Sequence, residues 1–134
     1  MNSFKGQIEK VETHGKLSIV SFDMGLEIIL KAIIIDDIHS APHIEKGRNI
    51  QVMFKETEVI LSSELNPNLS IENRIVGKVL EIEKGHLLSR IKIETPIGCI
   101  ISVVSTEALN KLNLIANTEV LVMVKLNEII ISKC

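Results

Sequence analysis

The sequence predicts an all-β protein made of two tandem five-stranded barrels, each with one short helix. Three observations predict it. The first is a duplication: sliding the chain by 71 superimposes Asn2 on Asn73, Gly6 on Gly77, Glu12 on Glu83, Leu17 on Leu88 and Ser18 on Ser89. After a one-residue gap, a slide of 70 superimposes Met53 on Met123, Lys55 on Lys125, Glu58 on Glu128, Ile60 on Ile130 and Ser62 on Ser132. The second is composition. The chain is 46% hydrophobic with only three aromatics, Phe4, Phe22 and Phe54, so its core is built of Ile, Leu and Val, residues that pack well on pleated strands. The third is the order of strand-like and helix-like runs, which is the same in both halves.

In the first half, apolar residues alternate at Phe4, Gly6 and Ile8 and again over 17–22, the period-2 signature of half-buried strands. Gly15 and Met24-Gly25 punctuate these runs as turns. A third strand covers 27–34. An irregular or single-turn helical stretch over 36–44, interrupted by Pro42, follows it. Lys46-Gly47 turns into a strand over 49–54, and Glu56-Thr57 turns into a last strand over 58–62. The second half repeats the plan with strands near 74–83, 87–94 and 97–104, a helix near 106–112, and strands near 118–124 and 127–132. Its helix is better marked: Ser105 is a capping residue, and Ala108, Leu109 and Leu112 form one apolar face.

Between the halves, 63–72 is polar and turn-rich and reads as a linker. The expected units are therefore 1–62 and 73–134, with Ser70 and Glu72 already part of the second unit's opening. A repeat near 70 residues is too long for a solenoid unit and is the size of a small complete domain. Three strands, a helix and two strands suit an OB-type barrel. Five strands with these turns also suit an SH3-like barrel, but a helix between the third and fourth strands favours the OB type. Each half, at roughly 60 residues, is marginal for a core of its own. The halves are expected to pack on each other or on further subunits, giving a homo-oligomer.

Charge and composition exclude several functions. Fifteen basic and 17 acidic residues are interspersed, for a net charge of −2. That is not the basic footprint of a nucleic-acid binder, and the absence of Trp and Tyr removes most stacking platforms. The longest apolar run, over 28–35, is interrupted by Lys31, so no membrane span is expected. The opening Met-Asn-Ser-Phe-Lys-Gly lacks an apolar signal region, and Cys99 and Cys134 make no disulfide framework, so the expected location is cytoplasmic. Cys99 reads as a small core residue. His39 and His43 have helical spacing but straddle Pro42 and have no evident third ligand, whereas zinc needs three or four. His14 and His86 read as solvated turn residues. No nucleophile-base, paired-carboxylate or phosphate-loop pattern is legible, and the chain is expected not to be an enzyme.

The stretch Asn73-Arg-Ile-Val-Gly77-Lys-Val-Leu-Glu-Ile-Glu-Lys-Gly85 resembles the opening of the molybdenum-pterin-binding (Mop) domain, a member of the TOBE group. Ser70-Ile-Glu-Asn73 stands where that family has Ser-Ala-Arg-Asn. Leu112-Asn-Leu114 is similar to its Leu-Gly-Leu, and Val124-Lys125 with Glu128-Ile-Ile-Ile to its closing Ile-Lys-Ala-x-x-Val-x-Leu. The first half matches more loosely, through Asn2, Lys5-Gly6, Lys46-Gly47 and Phe54-Lys55. The chain thus resembles a two-copy molbindin. The resemblance implies an OB-type fold and binding of molybdate or tungstate between packed copies, with a trimer of the two-copy chain favoured. It also implies a role in molybdenum storage, homeostasis or sensing, and contact with the molybdate transport or cofactor machinery.

Carried over residue by residue, the resemblance implies Lys125, Lys55, Ser105, Asn73, Ser70 and Asn2 as oxyanion-binding residues. A tetrahedral dianion takes donors only: ammonium groups, hydroxyls and peptide N–H groups. Several family donors are replaced here. The family's Arg is Glu72, the second hydroxyl of its Thr-x-x-Ser is Ala108, and the small or hydroxylic residues beyond the lysines are Glu58 and Glu128. Each residue also has a plain structural reading. The lysines can be solvated strand ends or pair with Glu58 and Glu128, the asparagines can form turns, and Ser105 can cap the helix. A second function therefore stands beside the first: a Mop/TOBE module without a ligand, serving interaction or regulation.

Overall fold

The computed structural model describes residues 1–35 and 44–134. Ten strands and one α-helix appear in the order β1 (Asn2–His14), β2 (Leu17–Asp23), β3 (Ile29–Ile34), β4 (Asn49–Phe54), β5 (Ile60–Ser62), β6 (Asn73–Lys84), β7 (Leu88–Thr95), β8 (Gly98–Ser105), α1 (Thr106–Leu112), β9 (Glu119–Val124) and β10 (Ile130–Lys133). Short 3₁₀ turns, Glu56–Glu58 and Leu126–Glu128, precede β5 and β10. The expected strands of both halves are present, and α1 spans the expected 106–112 with the Ser105 hydroxyl accepting from the Ala108 N–H at 3.1 Å. The helical turn expected over 36–44 and the His39/His43 pair lie outside the described residues, apart from Ile44.

The opening strand of each half does two jobs. β1 pairs with β4 through Asn2–Gln7 and with β2 through Gln7–His14, and its register shifts between Ile8 and Lys10. β6 repeats this with β9 and β7, shifting between Val79 and Glu81. A bulge bends a strand and increases its twist, which lets one long strand serve both sides of a small barrel. Alternation sends Val20, Phe22, Leu30, Ala32, Ile50, Val52 and Phe54 inward in one half. Ile75, Val79, Ile91, Ile93, Ile100, Val120, Val122 and Val124 do the same in the other, all at 5% exposure or less.

The fifth strands are exchanged. The sheets run β10-β4-β1-β2-β3 and β5-β9-β6-β7-β8, so each half's last strand completes the other half's sheet. Ile60 pairs with Met123 in one sheet and Ile130 with Met53 in the other. Each 3₁₀ turn carries the chain across: Glu56–Glu58 lies against β8 and Leu126–Glu128 against β3, which closes the two barrels. The sheet order and closure are those of the OB type rather than the SH3-like alternative. Val59, Leu61 and Ile129 enter the same buried cluster as residues of both halves, so the two cores are one. Among the described residues, no helix is long and apolar enough to cross a membrane.

Cys99 does not sit in the core as expected. It is exposed at the outer register of β8, because alternation turns its neighbour Ile100 inward instead. The segment leading into β6 is anchored by Arg74, whose guanidinium donates to the Ile71 carbonyl at 2.7 Å and the Leu69 carbonyl at 2.8 Å.

Candidate functional site at the two asparagine clamps

β1 and β6 each begin with an asparagine whose side chain is buried, Asn2 at 4% and Asn73 at 2% exposure. A buried amide needs partners on both its oxygen and its nitrogen. Asn73 finds them on the first half's edge strand: its Oδ1 accepts from the Lys31 N–H at 2.7 Å and its Nδ2 donates to the Lys31 carbonyl at 2.8 Å. Asn2 does the same to the second half's edge strand, accepting from the Ile101 N–H at 2.8 Å and donating to the Ile101 carbonyl at 2.9 Å. Lys31 and Ile101 are equivalent positions, 70 apart. Each side chain thus supplies the pairing that an edge strand would otherwise present to solvent.

The lysines stand at these clamps. Asn73 pairs with Val124 and Asn2 with Phe54, so Lys125 and Lys55 are the next residues out, at the ends of β9 and β4. Both are extended (φ −67°, ψ 151° and φ −70°, ψ 148°), exposed, and lead into the 3₁₀ turns, whose first hydrogen bonds run from Glu128 N–H to the Lys125 carbonyl and from Glu58 N–H to the Lys55 carbonyl, each 3.0 Å. Among the described residues neither lysine forms an ion pair, so the local pairs with Glu58 and Glu128 weighed from sequence do not form.

The structure therefore gathers the six sequence-derived residues unevenly. Asn73 and Lys125 come together at the head of β6, with Ser70 three residues upstream in the turn that Arg74 holds. Asn2 and Lys55 come together at the head of β1. Ser105 is set apart, four residues beyond Ile101 on β8 or roughly 13 Å at a strand's rise, and its hydroxyl serves the helix cap.

Sequence reasoning missed Lys31. Its Nζ donates to Glu72 Oε2 at 2.9 Å, joining the first half's edge strand to the segment leading into β6. The hydrogen bond to Glu72, and then its charge, hold the Lys31 ammonium above the usual lysine range. No repeat signal could have pointed to it, because its counterpart is Ile101. At the Asn2 end, Glu56 instead accepts from the Met1 ammonium at 3.4 Å and faces Arg90 at 4.0 Å.

Two shallow cavities of about 450 and 460 Å³ recur at equivalent places, around Gly77 and around Gly6. They are lined by charges of both signs, Lys78 with Glu94 and Glu119, and Lys5 with Asp23, and contain neither clamp lysine. They are not built for an anion.

A pair of OB-type barrels with exchanged fifth strands, each opened by an asparagine clamp with a lysine beside it, defines the class of protein. The model of the TOBE domain family matches residues 69–131, within the second half of the chain. A solved structure similar along almost the whole chain is that of the cytoplasmic molybdate-binding protein ModG in a crystal form with molybdate bound. It is 23% identical, with 99% of this chain and 96% of that chain covered and a TM-score of 0.91. At that identity the likeness is one of fold. No curated protein matches the sequence.

Proposed function

We propose that this chain is a non-enzymatic, cytoplasmic oxyanion-binding protein, taking molybdate or tungstate for molybdenum storage, homeostasis or sensing. The observation that carries the proposal is the recurrence of one arrangement at both clamps: an exposed lysine, with no acidic partner among the described residues, beside an asparagine that fixes the neighbouring edge strand. The fold shared with molybdate-bound ModG supports it. Lys125 and Lys55 supply charge, and Asn73 and Asn2 hold the strands on which the sites are built. Ser70, three residues before Asn73, would add a hydroxyl at that end. Ser105 lies apart within one chain, so its hydroxyl joins an oxyanion only if another copy brings it there. Copies packing as a homo-oligomer, with a trimer favoured, would enclose the sites, and the protein would hand its ligand to the transport or cofactor machinery. Binding and assembly are then coupled, and ligand at 100 times its Kd stabilises the assembly by about 2.7 kcal/mol per site.

The test is native mass spectrometry with molybdate, using sulfate as control. Discrete mass increments with molybdate alone support the reading, and a bare assembly at millimolar molybdate overturns it. A second reading, a ligand-free TOBE module for interaction or regulation, is favoured by Glu72, Glu58, Glu128 and Ala108, which replace donors with carboxylates or a methyl group. Under that reading nothing binds, and Glu72→Arg does not restore binding.

A further inference from the structure

The head of β6 holds an edge-strand lysine that the head of β1 lacks. Lys31 is fixed by its backbone, since Asn73 takes both its N–H and its carbonyl, at 2.7 and 2.8 Å. Its ammonium reaches Glu72 at 2.9 Å, across the boundary between the halves. Beyond the last paired residues of β6 and β9, Asn73 and Val124, the next positions along the chain are Glu72 and Lys125, so a second lysine leaves the sheet at the same clamp. One carboxylate thus holds the ammonium of one half at the clamp where the lysine of the other half also stands.

A carboxylate is chemically the nearest thing in a protein to a small oxyanion: acceptor-only, negatively charged and drawn to the same donors. We propose that Lys31 is a second cation of the oxyanion site at the head of β6, and that Glu72 occupies this site as an internal anion until molybdate or tungstate displaces it. This rests on the oxyanion reading above and adds a residue and a control to it. Lys31 supplies positive charge from the other half, and Glu72 sets the ligand concentration at which the site fills. It also disfavours singly charged anions, which compete with the carboxylate less well than a dianion does. The site at the head of β1 has Ile101 in place of Lys31 and fills independently of any such exchange.

The alternative is an ordinary surface ion pair. Both side chains are more than a third exposed, 39% and 55%, and such a pair contributes little to stability. The two accounts part on direction. Lys31→Met and Glu72→Gln break the same pair, so a merely structural pair makes them act alike. If Glu72 competes with the ligand for Lys31, they act oppositely.

The experiment is molybdate titration of the full-length wild type, Lys31→Met, Lys31→Arg and Glu72→Gln by native mass spectrometry and calorimetry, with sulfate as control and thermal melting to verify folding. Lys31→Met is expected to weaken one class of sites about tenfold or more, the range for a charge-assisted hydrogen bond. Lys31→Arg is expected to restore most of that loss. Glu72→Gln is expected to tighten the same class about three- to tenfold, the exposed end of a like-charge repulsion. Binding seen only with Glu72→Gln also supports the proposal. Wild-type binding that Lys31→Met leaves unchanged, or that both substitutions weaken alike, overturns the proposal and leaves the oxyanion reading standing. No binding by wild type or Glu72→Gln overturns both.

Discussion

The two clamps are the same in geometry and different in charge. Asn2 on Ile101 and Asn73 on Lys31 make the same pair of hydrogen bonds to equivalent residues, within 0.1 Å of each other in each case. Around them, one end carries Lys31, Glu72 and Lys125 and the other Ile101 and Lys55. The difference teaches that duplication has preserved the part that assembles the fold and varied the part that meets solvent. The clamp cannot change without orphaning an edge strand, whereas residues beside it can change with little loss of stability.

The exchange of fifth strands gives the strongest way to break this symmetry. Truncation after Glu128 removes β10, which belongs by sequence to the second half but pairs with β4 of the first. It also removes Ile129, which is 6% exposed. The expected loss is about 3 kcal/mol or more, from the buried apolar side chains. Hydrogen exchange should then show amide protection falling in β4 while β9, paired with β5 and β6, keeps its own. Loss of protection in β9 first would mean that each half keeps its own fifth strand.

The clamps come next. Asn73→Ala and Asn2→Ala each leave an N–H and a carbonyl of an edge strand without their partner, a loss of about 1–3 kcal/mol by chemical denaturation. Equal losses are expected from equal geometry. A difference above about 1 kcal/mol, more than an exposed ion pair can supply, would show that the ends are not equivalent in energy.

Smaller still is the contrast between two equivalent glycines. A Cβ on Gly77 would lie 2.5 Å from Ile93 Cγ2 and 2.8 Å from the Glu94 carbonyl, whereas on Gly6 it would meet the Met24 sulfur at 2.7 Å. A branched side chain and a backbone atom cannot move aside as a methionine can. Gly77→Ala is therefore expected to destabilise by about 1–3 kcal/mol and Gly6→Ala by less than about 1 kcal/mol. Similar losses at both positions would mean that the first half is as rigid there as the second.

Much of this was legible in the sequence because the halves repeat. Strand order, the helix over 106–112 with its Ser105 cap, and the recurring lysines and asparagines all follow from overlaying one half on the other. The strand exchange does not. β5 and β10 share one pattern, Glu58-x-Ile60-x-Ser62 and Glu128-x-Ile130-x-Ser132, and a strand's pattern fixes which face is buried rather than which neighbour it takes. Two near-identical sheets offer each strand near-identical partners. Cys99 was misplaced because a run over 99–104, apolar except for Ser102, hides its alternation until the register with β7 is known. Lys31 was hidden for the opposite reason: it occurs in one half only.

That same lysine gives the smallest and sharpest test of the difference between the ends. Hydrogen bonding to Glu72, then its charge, raise the Lys31 pKa, with burial opposing and Glu12 assisting. A raised folded-state pKa means that the ammonium contributes to stability in full below the unfolded lysine value, about 10.4. The contribution is lost as pH rises through the higher folded value. The stability difference between wild type and Lys31→Met, followed by denaturation, should hold level from neutral pH to about 10 and then shrink. Solvent screening keeps it small throughout, since both partners are more than a third exposed. No such fade can come from the Asn2 end, where Ile101 has nothing to titrate. A difference that is absent at neutral pH, or that persists unchanged above the lysine range, would mean that Glu72 does not hold the ammonium. The two clamps would then differ only in which residues they display, and Glu72 would have no grip on Lys31 for a ligand to displace.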